Sequence, residues 1–401
     1  MRPWAVRLVA EQIRRARRAA RIQHRVDRVQ HRVARALLGL PPGWQVRLSG
    51  QVPVVVDGLT LDPQLQLLLA VRARRRLTPL EQLSPPVARL RTRRDAAAAT
   101  GLPIRVAATA DLTVDGAEGP LAARHYAPPR PDPGPDPILL FLHGGGFVVG
   151  DLDTHDQTCR LLCRYGGVHV LAVDYRLAPE HPFPAAALDA QAALNWTCAH
   201  AAELGADPAK VAIGGDSAGA NLAAVVSADR AHRDGPKPAA QLLLYPPVDR
   251  YTDYLSLGLF GDGFFLTRTE IEWFRRCYAT DDDRDDPLLS PLNAPDLSGL
   301  PPAILVTAGF DPLRDEGEVY AAALAAAGSE VLFRREPSLI HGFANMIDLS
   351  TAARSAMITL AGELRALLER PISPERPTSP QQPAGRERPA GPERPPARER
   401  G

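Results

Sequence analysis

The chain has 401 residues, of which 45% are hydrophobic, and a formal net charge of +1. This length allows a sizeable core and up to two or three domains, and the balanced charge argues against a general nucleic-acid-binding or acidic-ligand-binding protein. No run approaches the roughly 18 apolar residues that cross a bilayer, and the N-terminus lacks the apolar core of a signal peptide.

Four cysteines occur without a CxxC pair or the spacing of a zinc site. We therefore expect a cytoplasmic, reduced protein with buried or inert thiols. Cys159 and Cys163 lie one helical turn apart, so a metal pair is the alternative interpretation for these two residues.

Residues 1–40 carry eleven arginines and only two acidic residues. Their arginines recur at spacings of four and three from Arg14 to Arg35, beside an apolar stripe from Ile22 to Leu37, which predicts a basic amphipathic helix. Such a helix can lie on an anionic membrane surface. The alternative, which we favour, is that the apolar stripe packs on the protein body or on a partner subunit.

From residue 41 to 370, apolar strand-like runs alternate with helical patterns, which indicates an α/β domain with a parallel sheet covered on both faces. The predicted strands are 138–142, 168–174, 211–214, 241–245, 303–307 and 331–334. The predicted helices are 155–165, 185–204, 217–231, 315–327 and 352–369. Residues 249–298 break this rhythm as a cap insertion would, and the Leu- and Arg-rich residues 59–100 are predicted to be helical and to pack beside it.

Residues 371–401 contain nine prolines and one large aliphatic residue, Ile372. A segment of this composition cannot form a core, so we predict a disordered tail.

The sequence GDSAG at residues 215–219 follows a predicted strand and opens a predicted helix. It matches G-x-S-x-G, the strained strand-to-helix turn that exposes a serine above the edge of a sheet. The flanking glycines suit the close approach of the backbone at such a turn. Ser217 is therefore the candidate nucleophile.

The sequence HGGGF at residues 143–147 follows the strand 138–142 and precedes a helix. Its glycines leave backbone N–H groups open to a ligand, and together with the start of the helix after Ser217 they can form an oxyanion hole. We predict Gly145, Gly146 and Ala218 as the three donors.

A serine hydroxyl needs a base, and the base needs an acid that orients it. His341 follows the last predicted strand, and Asp311 follows the strand 303–307. The order Ser217, Asp311, His341 is the one expected for an α/β-hydrolase. Asp315 is the competing carboxylate, but it lies a turn farther into a predicted helix, where a structural role is favoured.

These motifs resemble those of the hormone-sensitive-lipase-like carboxylesterases of the α/β-hydrolase superfamily, over roughly residues 60–369. The points of similarity are HGGGF (143–147), DYRLAPEHPFP (174–184), GDSAG (215–219), DPLRDEG (311–317) and HGF (341–343). The resemblance implies an α/β-hydrolase fold with a mostly parallel sheet, helices on both faces and a helical cap. It also implies that Ser217, His341 and Asp311 form a catalytic triad.

The same resemblance assigns supporting roles to His143, which helps to hold the glycine loop, and to Asp216. Ala220 replaces a glycine that the family often has. The basic N-terminus and the proline-rich tail lie outside the family pattern.

We therefore predict a serine carboxylesterase for short- to medium-chain acyl esters that needs no metal or organic cofactor. A long-chain lipase or an amidase would use the same triad, and the sequence leaves both open. A non-catalytic hydrolase-fold binding protein is the alternative from another class, and the retained His341 argues against it. The expected partner is a small ester and not a nucleic acid; a homodimer is left open.

Overall fold

The computed structural model describes residues 39–129, 134–250, 252–283 and 286–370. The predicted basic helix within residues 1–40 and the predicted tail 371–401 lie outside these residues, apart from 39 and 40. No helix among the described residues combines the length and apolar character needed to cross a membrane.

The described chain begins with helices and short strands that precede the main sheet. These are α1 (Pro42–Ser49), β1 (Val55–Val56), β2 (Leu59–Thr60), α2 (Pro63–Arg74) and α3 (Pro85–Ala99). Asp62 caps α2, because its side chain accepts a hydrogen bond from the N–H of Leu65. The helical prediction for residues 59–100 is confirmed for α2 and α3, whereas Leu59–Thr60 form the strand β2.

An eight-stranded sheet follows, and its strands alternate with helices. In chain order the elements are β3 (Ala108–Gly116), β4 (Gly119–Ala127), β5 (Asp136–Leu142), α4 (Asp156–Gly166), β6 (His169–Val173), α5 (Ala185–His200), β7 (Ala206–Asp216), α6 (Ala218–His232), β8 (Ala240–Leu244), α7 (Leu255–Phe260), α8 (Arg268–Tyr278), β9 (Ala303–Phe310), α9 (Arg314–Ala326), β10 (Val331–Ile340) and α10 (Thr351–Glu369).

The strand order in the sheet is β10-β9-β8-β7-β5-β6-β4-β3. The six strands from β10 to β6 run parallel, whereas β4 pairs antiparallel with both β6 and β3. The mostly parallel sheet expected from the family resemblance is therefore confirmed.

Both faces of the sheet are buried, as β5 illustrates. Its Ile138, Leu140 and Leu142 belong to the hydrophobic cluster formed with α5, α6 and α9. Leu139 and Phe141 point to the other face, in the cluster formed with α4 and α10. Two-sided burial explains why the central strands are continuous apolar runs rather than alternating ones.

The sheet brings the carboxyl ends of β5, β7, β9 and β10 to one edge. In an open parallel sheet this edge is where ligands bind. The sequence motifs HGGGF, GDSAG, DPLRDEG and HGF all start at or just after these strand ends.

Candidate active site

Ser217 lies between the end of β7 at Asp216 and the start of α6 at Ala218, with φ 52° and ψ −120°. This positive φ is a strained conformation for a residue with a side chain. Gly215 and Gly219 flank the turn, and a Cβ at either position would overlap the carbonyl oxygen of Leu142, at the end of β5. Glycine is therefore required on both sides, and the turn holds the serine hydroxyl above the sheet edge.

His341 lies between Ser217 and Asp311 and forms hydrogen bonds to both. Its Nε2 is 2.9 Å from Oγ of Ser217, and its Nδ1 is 2.7 Å from Oδ2 of Asp311. Asp311 directly follows β9 and is fully buried, while His341 directly follows β10. The structure thus brings together the three side chains that the sequence predicted, from the ends of three parallel strands.

The carboxylate of Asp311 is held by its own turn. Its Oδ1 accepts a hydrogen bond of 2.8 Å from the N–H of Leu313, which leaves Oδ2 directed to His341. A carboxylate fixed in this way holds the imidazole in one orientation and favours the tautomer that carries its proton on Nδ1.

The glycine loop after β5 adopts a conformation that only glycine accommodates. Gly145 and Gly146 have φ of 120° and 60°. A Cβ at Gly145 would overlap the carbonyl of Val149, and one at Gly146 would overlap the ring of Phe274. The carbonyl of Gly145 accepts hydrogen bonds from Val148 and Val149, which fixes the orientation of the loop.

The three predicted oxyanion donors line the same cavity as Ser217. Within the described part of the chain, no hydrogen bond engages the N–H of Gly145 or Gly146. Ala218 opens α6, and the first N–H groups of a helix have no acceptor within the helix. The site therefore offers backbone donors next to the serine hydroxyl.

His143 buttresses this loop from behind. Its ring stacks on Tyr175 at 4.4 Å, and its Nδ1 lies 2.8 Å from the carbonyl oxygen of Gly144. The hydroxyl of Tyr175 donates to the carbonyl of His143 at 2.7 Å. These contacts fit the loop-holding role that the family resemblance implies.

Asp216, directly before the serine, is buried and joins three parts of the site. Its Oδ1 accepts a hydrogen bond of 2.9 Å from the N–H of Gly144 and lies 3.1 Å from Nε2 of His155. Its Oδ2 accepts hydrogen bonds from Asn345 at 3.2 Å and from Tyr245 at 3.4 Å. One carboxylate thus links the glycine loop, the serine turn and the loop that follows His341.

Asp216 and His155 form a buried ion pair. Burial by itself raises the pKa of Asp216, but the nearby His155 and the N–H of Gly144 bring that pKa below its ordinary value. Burial opposes the charged form of His155 too, and Asp216 outweighs it and raises the pKa of the imidazole. Each partner therefore stabilises the charged form of the other.

Comparison with known proteins places this geometry in a family. The family model described as alpha/beta hydrolase fold matches residues 139–345. The carboxylic ester hydrolase LipN of Mycobacterium tuberculosis is 49% identical over 334 residues, which span 80% of this chain and 87% of that protein. The ethyl acetate hydrolase of Pseudomonas putida is 36% identical over 77% of this chain and 99% of its own length.

Solved structures agree. The esterase of Pyrobaculum calidifontis superposes with a TM-score of 0.72 at 36% identity, covering 77% of this chain and 99% of its own. A thermostable esterase of Pseudomonas putida has a TM-score of 0.74 at 35% identity, covering 79% of this chain and 100% of its own.

The chain belongs to the hormone-sensitive-lipase-like carboxylesterases of the α/β-hydrolase superfamily. It is a carboxylic ester hydrolase.

The esterase has a cavity of about 470 Å³ at Ser217. Side chains from residues 59–100 and 249–298, the two segments predicted to form a cap, line much of it. They include the large apolar side chains of Leu68, Val71, Leu77, Leu80, Phe265, Leu266, Ile271, Phe274 and Leu289. The cavity is therefore suited to the hydrocarbon parts of an ester.

The competing carboxylate, Asp315, does not contact His341. Its Oδ2 accepts a hydrogen bond of 2.8 Å from the N–H of Ser256 in α7, and its Oδ1 accepts one of 2.8 Å from Arg314. Arg314 in turn pairs with Asp57, between β1 and β2, at 2.9 Å. Asp315 and Arg314 therefore anchor segments around the site to the turn that carries Asp311.

Glu316, the next residue, is a buried acid that contacts the start of the segment after β8 instead of the triad. Its Oε1 accepts a hydrogen bond of 2.8 Å from the N–H of Val248, where the chain leaves β8. Burial raises the pKa of Glu316 to about 8, despite this hydrogen bond. The carboxyl therefore stays protonated in the folded protein at pH values where the unfolded chain ionises.

We expect Glu316→Gln to reduce the loss of stability on going from pH 5 to pH 8. Between the ordinary glutamate pKa and about 8, the folded protein holds one proton more than the unfolded chain, so stability falls as pH rises. Glutamine keeps the acceptor for Val248 and removes this titration. Urea unfolding at each pH gives the free energy of unfolding of both proteins. The value for the variant minus that for the parent should grow by on the order of 4 kcal/mol from pH 5 to pH 8.

Glu318→Gln is the matched control, because Glu318 lies on the same helix but pairs with Arg335 at the surface. Its unfolding midpoint should shift from the parent by an amount that varies little over this range. Parallel curves for Glu316→Gln and its parent would contradict the assignment of a buried, protonated acid.

His155, Asn345 and Tyr245, whose side chains contact Asp216, are site residues that no sequence motif singled out. No motif of the sequence includes His155, and the structure shows that it is buried and paired with Asp216. The two partners are 61 positions apart, and no local pattern links them. The position of His155 directly before the helix that follows the glycine loop is the sequence feature that places it near the site.

The cysteines take no part in the site. Cys159 and Cys163 are buried free thiols, and burial raises the pKa of Cys163 to about 12 and that of Cys159 well above its ordinary value. Within the described ranges, no group of three or more His, Cys, Asp or Glu side chains is arranged to hold a metal ion.

Proposed function

We propose that this ester hydrolase cleaves esters with short to medium acyl chains through an acyl-enzyme intermediate on Ser217. The proposal depends on one observation, the pair of hydrogen bonds that His341 makes to Ser217 at 2.9 Å and to Asp311 at 2.7 Å. This arrangement activates a hydroxyl that is otherwise a poor nucleophile.

In the first half of the proposed reaction, Oγ of Ser217 attacks the ester carbonyl while Nε2 of His341 takes its proton. The oxyanion of the tetrahedral intermediate accepts hydrogen bonds from the N–H groups of Gly145, Gly146 and Ala218. Asp311 stabilises the imidazolium and keeps its orientation. His341 then gives the proton to the departing alkoxide, and the acyl group stays on Ser217.

In the second half, water enters in place of the alcohol. His341 takes a proton from this water, the hydroxide attacks the acyl carbonyl, and the same backbone donors hold the second oxyanion. Return of the proton to Oγ of Ser217 releases the carboxylic acid.

The preference for short to medium chains is supported by the cavity. Its volume of about 470 Å³ lies toward the lower end of the range for small-molecule sites, roughly 300–1,000 Å³. The name of the Pseudomonas putida relative, ethyl acetate hydrolase, supports the same range of substrates.

A series of nitrophenyl esters from acetate to palmitate tests this preference. We expect kcat/KM to be highest for short or medium chains and to fall by about tenfold or more toward palmitate, because the longest chains exceed the apolar cavity. A rate that rises toward palmitate would establish the long-chain lipase instead. Cleavage of the matching nitroanilides at a comparable rate would establish the amidase.

We propose the same domain organisation along the chain as the sequence predicts. Residues 1–40 form a basic helical extension, residues 41–370 form the hydrolase domain with its cap from about 59–100 and 249–298, and residues 371–401 form a tail. We propose a cytoplasmic protein, with membrane contact through residues 1–40 as the alternative to packing on the protein or on a partner subunit. The test is cosedimentation with anionic vesicles. If it is unchanged when residues 1–40 are removed, membrane contact through these residues is excluded.

A homodimer is an assembly that the sequence leaves open. It is supported by β10, which is an edge strand of the sheet and whose Leu332 and Phe333 are 42% and 40% exposed. An open strand edge with apolar side chains can pair with the same edge of a second copy. Sedimentation velocity measures it, and a monomer at all micromolar concentrations would exclude it.

A further inference from the structure

An exposed surface that is both apolar and basic borders the cavity of the esterase. We call it the rim patch and define it by two segments, the turn after α2 and the outer side of α3. Its residues are Arg75, Arg76, Leu77, Val87, Leu90 and Arg94. Leu77, Val87 and Leu90 are 50%, 48% and 60% exposed, so three large apolar side chains face solvent in one region.

The two segments of the rim patch adjoin. The guanidinium of Arg91 in α3 donates a hydrogen bond to the carbonyl of Thr78, in the turn after α2. Val87, Leu90 and Arg94 follow the helical spacing of three and four, so they form one stripe along α3.

The rim patch also adjoins the mouth of the cavity. Arg75 and Leu77 line the cavity, as do Arg91 and Asp95 of α3. Arg91 is four residues from Val87 and three from Arg94, so the cavity-lining side of α3 lies next to the exposed stripe. A molecule that covers the rim patch therefore lies against exposed residues that line the same cavity as Ser217.

The charge of the rim patch has little local compensation. Other arginines of α3 are paired: Arg89 with Glu180, Arg93 with Asp151 and Arg91 with Asp95. Within the described part of the chain, Arg75, Arg76 and Arg94 form no ion pair, and all three are exposed. Exposed arginines among apolar side chains fit an anionic lipid surface, which offers both negative headgroups and hydrocarbon.

We propose that the rim patch docks the enzyme on an anionic lipid surface, so that esters dissolved in that surface enter the cavity directly. The inference rests on the proposed function, since it concerns how an ester reaches Ser217. It is separate from residues 1–40, because it involves described side chains at the cavity itself. The substrate class it adds is a short- or medium-chain acyl ester of a lipophilic alcohol.

The test compares two esters that share one acyl group. The first is a soluble nitrophenyl hexanoate, and the second is a hexanoyl ester with a long-chain alcohol, embedded in vesicles of phosphatidylcholine with or without one quarter phosphatidylglycerol. Two variants of the full chain alter the patch at residues that do not line the cavity: Arg76→Glu with Arg94→Glu, and Val87→Ser with Leu90→Ser. Arg164→Glu with Tyr165→Ser is the control, because these exposed residues end α4 at the opposite edge of the sheet.

We expect the parent and the control to hydrolyse the embedded ester faster in anionic than in neutral vesicles. For the charge variant, the rate in anionic vesicles should fall by about tenfold or more, because each arginine near an anionic surface strengthens binding to it roughly fivefold. The apolar variant should slow hydrolysis several-fold in anionic vesicles. Both should keep kcat/KM on the soluble ester within about twofold of the parent. Raising the salt concentration should shrink the difference between the parent and the charge variant.

The charge variant decides the outcome, because it changes only exposed side chains without ion pairs. Unchanged hydrolysis of the embedded ester by this variant overturns the proposal, as does a parent that is active on the soluble ester but shows no preference for anionic vesicles. A change in oligomeric state with unchanged vesicle rates would identify the patch as an interface between copies and would also overturn it. Loss of activity of the parent on the soluble ester would instead reject the proposed function.

Discussion

Ser217→Ala is expected to lower kcat/KM on an activated ester by about 10³-fold or more and to leave the fold intact. The side-chain oxygen is the proposed nucleophile, and its hydrogen bond to His341 is the contact that the substitution removes. Alanine has the same Cβ as serine, so the strained backbone at φ 52° is no less favourable after the exchange. The proposed oxyanion donors remain, and we expect them to supply the residual rate over water.

Ser227→Ala is the matched control for this experiment. Ser227 lies on the same helix, α6, and is fully buried, but it is ten residues from the proposed nucleophile. Its activity should stay within about twofold of the parent. Circular dichroism and the thermal midpoint should match the parent for Ser217→Ala. If a folded Ser217→Ala enzyme retained most of its kcat/KM, the nucleophile would be another residue.

The central sheet could be predicted because strands that are buried on both faces appear in the sequence as continuous apolar runs. Strands β5, β6, β8 and β9 are apolar runs that end in turn residues, and each prediction falls within about three residues of the observed bounds. The strand β7 was predicted at 211–214 but spans Ala206–Asp216. Its start was missed because Asp207, Pro208 and Lys210 interrupt the apolar pattern and are half-buried or exposed.

The antiparallel hairpin β3–β4 was not predicted. Most of β3 is exposed at the edge of the sheet, so its residues Ala108–Gly116 mix alanine, threonine and aspartate with few large apolar side chains. Pairing with β4 creates this strand, and pairing partners are not visible in a local pattern. The glycines Gly116 and Gly119, which flank the turn between the two strands, were the local pattern that could have indicated this hairpin.

The candidate site was predictable where a motif ends a strand. Ser217 and Asp311 follow apolar strands and His341 follows the last predicted strand, and a parallel sheet must bring such strand ends together. The hydrogen bonds of Asp216 to Asn345 and His155 could not be read in this way, because they join loops whose separation depends on the packing of side chains. The same holds for the rim patch, whose two segments are joined by the hydrogen bond from Arg91 to the carbonyl of Thr78.

The assignment of the acid can be tested by exchanging each of two nearby carboxylates for an amide. Asp311→Asn is expected to lower kcat by about 10³- to 10⁴-fold with little change in KM. The amide N–H₂ group can donate to Nδ1 of His341, which favours the tautomer that carries its proton on Nε2. That nitrogen then cannot accept the proton of Ser217, although the three side chains keep their positions.

Asp315→Asn is the matched control, because Asp315 follows Asp311 by four residues but contacts Ser256 and Arg314 instead of His341. Asparagine keeps an oxygen that can accept the Ser256 N–H, so kcat should fall by less than about tenfold, and any larger effect should appear in the thermal midpoint. A stopped-flow burst of nitrophenol separates acylation from deacylation in both variants. If Asp315→Asn lost more of its acylation rate than Asp311→Asn, the acid that orients His341 would be Asp315. The hydrogen bond of 2.7 Å between His341 and Asp311 would then be incidental to catalysis, whereas the opposite order assigns it the orienting role.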